Sequence, residues 1–207
     1  MTDSRAVSGP ARPDVEDPQG DRSAPEPRVR PIRRDEWTAE TRRALGALAD
    51  RDPLDNVFAT FAQYPDLLRR YSVFGAHILR KSTLSPRARE FAILRIGVLN
   101  GCEYEFAQHA RIGIGIGIDE SEIRAVRTGS AAPGWSDEDR LVLQAAEELF
   151  SDRIISDETW YALADSYSRE QMMDLTYTIG CYNMISWALN SFRVQPDSTL
   201  PMWGKAL

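Results

Sequence analysis

The sequence predicts an all-α fold of about eight helices. Three observations carry this. From Thr38 onward, apolar residues recur at three- and four-residue spacing over most of the chain. Ser85, Asp119, Ser136, Ser156 and Ser168 each stand just before such a pattern, where a short oxygen side chain satisfies a free helix amide. No stretch alternates apolar and polar residues over the length of a strand.

The bulk numbers narrow the class. A chain of 207 residues fits one domain with an extension. Hydrophobic content of 43% and charged content of 27% are ordinary for a soluble globular protein. A net charge of −6 argues against a nucleic-acid partner, which calls for a basic patch. No apolar run is long enough for a membrane span, and the N-terminus has no apolar signal region, so the expected setting is the cytoplasm. Two cysteines, Cys102 and Cys181, make no disulfide framework and are expected as thiols.

Residues 1–31 hold six of the twelve prolines and almost no large apolar side chains. Such a segment cannot bury enough surface to offset its ordering entropy, so a disordered tail is expected there. The domain is expected over 32–195, with an irregular tail over 196–207. Residues 38–48 read as a short amphipathic helix, and 54–61 and 65–81 as two more. Tyr64-Pro65 separates the latter two, because the residue before proline avoids the α region. Leu67, Leu68, Tyr71, Phe74 and Ile78 form the expected core stripe of the longer one.

Ser85-Pro86 opens the next helix, an N-cap followed by proline at the first helical position, and it should run to about Leu99. Asn100-Gly101 breaks it, and another begins near Cys102. Gly117 is expected as that helix's C-cap, before a capping box over 119–122. After a loop at 129–134, Ser136 caps a helix through Phe150 and Ser156 caps another. Ser168 and Gln171 box the last long one, whose Met172, Met173, Leu175, Ile179, Met184 and Trp187 are expected in the core. The unit 85–117 and the final helix are the most apolar and should pack together.

The chemistry-bearing residues concentrate in 87–117. Glu90 sits among Ala88, Phe91, Ala92 and Leu94. It reads either as a surface carboxylate pairing with Arg87 or Arg95, or as a partly buried one with a raised pKa suited to acid/base work. Cys102, Glu105 and His109 are three and four apart and share one helix face. Glu105 and His109 can touch. Cys102 and His109 are about 10.5 Å apart along a straight helix axis, too far for a direct hydrogen bond. Gly113 and Gly115 each cost a helix about 1 kcal/mol relative to alanine, so a close neighbour is expected there. The same glycines follow a helix and lack the GxGxxG spacing, so they make no phosphate loop. His77 reads as helix-terminal or pocket-lining, and Cys181 as a small buried hydrophobe. There is no HExxH or CxxC spacing, so no metal site is expected.

Arg87-x-x-Glu90, then Cys102-Glu-Tyr-Glu105, His109 and the turn at Gly117-Ile-Asp resemble the carboxymuconolactone decarboxylase family, which includes the alkyl hydroperoxidase D-type proteins. The resemblance covers roughly residues 35–195. It implies the alkyl hydroperoxidase D-like helical fold, a homo-oligomer (dimer, trimer or hexamer) and no cofactor. In the peroxidase branch a CxxC pair does thiol redox work, with a glutamate and a histidine relaying protons. Glu90, Cys102 and His109 match that pattern, but Glu105 stands where the second cysteine belongs. In the decarboxylase branch the pattern is Glu-x-x-x-His, which Glu105 and His109 supply.

The favoured expectation is a cofactor-independent lyase of the decarboxylase type, acting on a small carboxylated lactone or activated carbonyl compound. His109 would reprotonate the carbanion, oriented by Glu105, with Glu90 completing the acid/base set. Tyr104, His77 and Trp187 would bind the substrate, with Cys102 at the edge of the site. Two alternatives stand beside it: a single-cysteine peroxidase or thiol oxidoreductase using Cys102, and a binding protein that kept the fold without catalysis.

Overall fold

The computed structural model describes residues 26–200 and Trp203. Among them are nine α-helices and no strand: α1 Ala39–Leu45, α2 Asn56–Phe61, α3 Pro65–Arg80, α4 Pro86–Leu99, α5 Glu103–Gly115, α6 Glu120–Ala125, α7 Asp137–Ser151, α8 Asp157–Ala164 and α9 Arg169–Phe192. The expected helix over 38–48 is split, with α1 giving way at Gly46 to a 3-10 turn through Asp50. The predicted caps form. The hydroxyls of Ser85, Ser136, Ser156 and Ser168 accept from the amides of Ala88, Asp139, Thr159 and Gln171. Asp119 and Glu122 make a reciprocal capping box.

The middle of the molecule is α4. Phe91, Ala92, Ile93, Leu94 and Ile96 are wholly buried, so the helix is buried on every side and needs neighbours all round. It packs on α5, α7 and α9. Phe106 of α5, Leu143 of α7 and Leu175 and Ile179 of α9 close the core over it. A smaller apolar cluster, with Ala44, Leu45, Ala62 and Leu68 at its centre, seats α1 against α3.

The α4–α5 turn fixes the geometry of everything functional. Gly101 has φ +59°, its amide donates to Val98, and the Cys102 amide donates to Gly97 at 2.8 Å. This is a Schellman ending, and glycine takes the left-handed position without a Cβ penalty. The chain thereby reverses, and α5 runs back along α4. Where they cross, a Cβ on Gly97 would come within 3.4 Å of the Phe106 amide nitrogen, so glycine allows the two backbones to approach.

Gly117 ends α5 as expected: at φ +93° it takes the left-handed position after Ile116, and the Gly117 and Ile118 amides donate to Ile114 and Gly113. Several other sequence expectations change. Gly115 has open space around it, and a Cβ on Gly113 would make only ordinary contacts with Ile118 and Ile123, so neither glycine marks a forced close approach. Leu67 and Phe74 of α3, Phe150 of α7, and Met173, Met184 and Trp187 of α9 are exposed rather than core. Periodicity identifies an apolar face but not what covers it. Of the expected N-terminal tail, residues 1–25 lie outside the described residues. Residues 26–31 are tied down: the Arg28 and Val29 amides donate to the Phe192 carbonyl, and Arg30 pairs with Glu36. No described helix is long and apolar enough to cross a membrane.

Candidate active site

The antiparallel turn brings Glu90 of α4 beside His109 of α5, nineteen residues away in sequence. His109 Nδ1 lies 2.6 Å from Glu90 Oε2, and Arg89 Nε donates to Glu90 Oε1 at 3.0 Å. Glu90 is fully buried. Burial alone would push its carboxyl up. The charges and hydrogen bonds of His109 and then Arg89 outweigh this and hold it below its ordinary value. Glu90 is therefore an anion, and neither the surface carboxylate nor the raised-pKa acid that the sequence allows. An ionised carboxylate only accepts hydrogen bonds, so His109 Nδ1 carries the proton and donates it. Nε2 is left for the cavity that His109 lines. The Tyr182 ring packs edge-to-face on the imidazole, with centroids 4.8 Å apart, and fixes its plane.

The i,i+4 partnership of Glu105 with His109 is not made. Glu105 Oε1 instead accepts from the Ser186 hydroxyl of α9 at 2.9 Å. Oε2 is buried with no hydrogen-bond partner among the described residues. Burial raises the Glu105 carboxyl well above its ordinary value, and the Ser186 bond only partly opposes that. Glu105 thus keeps its proton further up the pH scale than an ordinary carboxyl, and that proton belongs on the unpartnered Oε2. The two glutamates exchange the roles expected of them: Glu90 orients the imidazole, and Glu105 is the raised-pKa acid.

Around Glu105 stand Tyr71, Cys102, Cys181 and Tyr182, each made harder to ionise by its proximity. Burial is the larger cause in every case. It and Glu105 push the Cys102 thiol up to about 12 and the Cys181 thiol to about 11. Both cysteines are buried free thiols. At pH 7 a thiol with a pKa near 12 is ionised about once in 10⁵ molecules, against a few per cent for an ordinary cysteine.

Glu105 and His109 open on one cavity of about 260 Å³. Its walls come from 48–58, from Tyr71, Leu79 and Arg80 of α3, from α5, and from Tyr182, Ile185 and Leu189 of α9. Tyr104 lines it as expected. The Tyr104 hydroxyl donates to Asp197 at 2.6 Å, and Gln108 Nε2 donates to the same carboxylate at 2.7 Å, so the segment after α9 braces this wall. His77 and Trp187 do not line it. His77 bonds Asp174 at 2.8 Å on the other side of α3, and Trp187 is 58% exposed on the outer face of α9. Cys102 stays behind the wall at the start of α5. Sequence reasoning missed Ser186, Tyr182, Arg80 and Asp197. They reach the site only through tertiary packing, and no local spacing announces them. Among the described residues no group of three or more His, Cys, Asp or Glu is placed to hold a metal.

The architecture is that of the alkyl hydroperoxidase D-like helical proteins. The alkyl hydroperoxidase D core of a peroxidase-related protein from Ralstonia eutropha JMP134 superposes with a TM-score of 0.74 at 17% identity, over 85% of this chain and 95% of that one. The debrominase Bmp8 superposes with a TM-score of 0.65 at 18% identity, over 82% and 92%. At such identities the likeness is one of fold. The uncharacterized protein YdfG of Bacillus subtilis (strain 168) is 24% identical over 110 residues, which are 52% of this chain and 74% of that one. Residues 65–148, from α3 into α7, match the carboxymuconolactone decarboxylase family. They hold Glu90, Cys102, Glu105 and His109.

Proposed function

We propose that the protein is an acid/base enzyme that moves a proton at a carbon next to a carbonyl group, on a small carboxylated lactone or a similarly activated carbonyl compound. The observation that carries this is the pairing of unlike groups on one cavity. His109 is fixed by an anionic Glu90 at 2.6 Å, and Glu105 is held neutral with an unpartnered oxygen. An oriented imidazole and a carboxyl that burial keeps protonated are suited to paired proton-transfer roles.

In the decarboxylation form, the bond from carbon to the substrate carboxylate breaks and CO₂ leaves. The electron pair passes into the adjacent carbonyl as an enolate. The Glu105 Oε2–H donates a hydrogen bond to that oxygen, and protonated His109 delivers its Nε2 proton to the carbon. Solvent restores the proton. In an isomerisation the same Nε2 first removes a proton from carbon and then returns it at another carbon. Both forms are consistent with a buried acid and an oriented imidazole on one largely apolar cavity.

A thiol mechanism is less well supported, because Cys102 is pushed up to about 12 and lies behind the wall. The test is incubation with a panel of carboxylated lactones and keto acids in D₂O, following CO₂ release and deuterium at carbon. Turnover of at least one compound is expected, falling about 10²- to 10⁴-fold in His109→Ala. Full turnover in that variant would refute the assignment.

A further inference from the structure

The site cavity continues outward. A second cavity of about 340 Å³ lies between the turn after α1 and α3, and the two share Leu48, Arg51, Phe58, Tyr71, Leu79 and Arg80. Those side chains form a waist between an outer vestibule and the inner chamber of Glu105 and His109. Any molecule arriving by this route passes Arg51 and Arg80.

Three guanidinium groups line the inner chamber, and two are already engaged. Arg51 donates to Asp55 at 3.1 Å. Arg111 donates to Gln108 at 2.6 Å and stands 4.0 Å from Asp55. Arg80 has no ion pair or hydrogen bond among the described residues, although it borders both cavities. Arg80 is exposed, so a cation here that no side chain of the described residues pairs gives up only water, not a protein partner, to receive an anion.

We propose that Arg80 determines specificity at this site by holding a carboxylate that the substrate keeps through the reaction. The assignment of the reacting end rests on the proton-transfer reading above; the anion contact itself does not. Arg80 is the last residue of α3. The unpaired carbonyls at a helix C-terminus make a negative field, which opposes a phosphate dianion more than a monoanion. The planar fork of a guanidinium matches a carboxylate in two parallel hydrogen bonds. A carboxylate so held is stabilised as the anion and resists loss as CO₂. In the decarboxylation form the departing carboxylate is therefore a second one, deeper in the chamber. The substrate class becomes an organic acid with a retained carboxylate at one end, an apolar body, and a reactive carbonyl at the other.

Calorimetric titration of the full chain with octanoate, octan-1-ol and octyl phosphate tests this without catalysis. Octanoate is expected to bind wild type, to weaken about tenfold in Arg80→Gln and to recover partly in Arg80→Lys. Octan-1-ol should bind wild type and Arg80→Gln alike, showing that the cavity is intact. Equal octanoate binding by wild type and Arg80→Gln, no octanoate binding to wild type, or tighter binding of octyl phosphate than octanoate would each overturn the proposal. If His109→Ala keeps full turnover while Arg80→Gln loses octanoate, the proton-transfer reading fails and the anchor stands.

Discussion

Replacing Glu105 by glutamine should remove a specific slope from the stability profile. In the folded protein the Glu105 carboxyl keeps its proton because burial penalises the anion. In the unfolded chain it ionises near the ordinary carboxylate value of about 4.3. Between that value and the raised folded one, the native state binds one more proton than the unfolded state. Stability therefore falls as pH rises, by about 1.4 kcal/mol per pH unit from this group alone. The loss accumulates with pH from the unfolded value up to the raised folded one. Glutamine has the shape of the neutral acid and does not titrate. Its amide adds an offset that is the same at every pH. Urea unfolding of wild type and Glu105→Gln at pH 5, 6 and 7 should show the variant gaining on wild type by about 1.4 kcal/mol per unit. Parallel profiles would mean that Glu105 is already ionised in the fold, and the acid assigned to it would be lost.

Glu90→Gln should show the opposite sign. Glu90 is held below its ordinary value, so its stabilisation is present at neutral pH and disappears as pH falls through the folded value; a loss of about 2 kcal/mol at pH 7 that shrinks in acid is expected, because Arg89 is left near an uncharged group. Turnover should fall about 10²-fold through the misoriented imidazole, read as kcat on any substrate the deuterium screen finds. Cys102 and Cys181 should react with a thiol reagent at pH 7 far more slowly than a free cysteine, and Cys102→Ser should keep turnover; fast labelling of native protein with loss of activity in Cys102→Ser would favour the thiol reading instead. Met173, Tyr177, Met184 and Trp187 form an exposed apolar stripe along α9, the surface we propose joins copies of the chain. Tyr177→Glu with Met184→Glu should lower the mass measured by light scattering, and an unchanged mass would place the interface elsewhere.

What the sequence reveals and what it hides divide along the range of the interactions. Ser85, Ser136, Ser156 and Ser168 cap helices because the bonds they make are three residues long, and short bonds leave short patterns. The helices of the site are readable for the same reason. The pairing inside the site is not. Spacing places Glu105 within reach of His109, but α4 delivers Glu90 to the imidazole, and α9 brings Ser186 to Glu105. The resemblance in 87–109 identifies the right side chains and assigns two of them each other's work. Met184 and Trp187 show the same limit on the outside of α9. A helix with apolar residues on both faces looks like core throughout, until the fold shows that one face is left exposed among the described residues.

The braced wall at Tyr104 gives the site a division of labour. Glu90, Glu105 and His109 lie within 65–148, the segment that matches the family. Leu48, Arg51 and Phe58 come before it, and Tyr182, Leu189 and the Asp197 brace come after it. The groups that handle protons and much of the surface that surrounds a guest are thus written in different parts of the chain. Substitutions in the flanks can reshape the chamber while the Glu90–His109 pair is left in register, so a change of substrate need not be a change of chemistry.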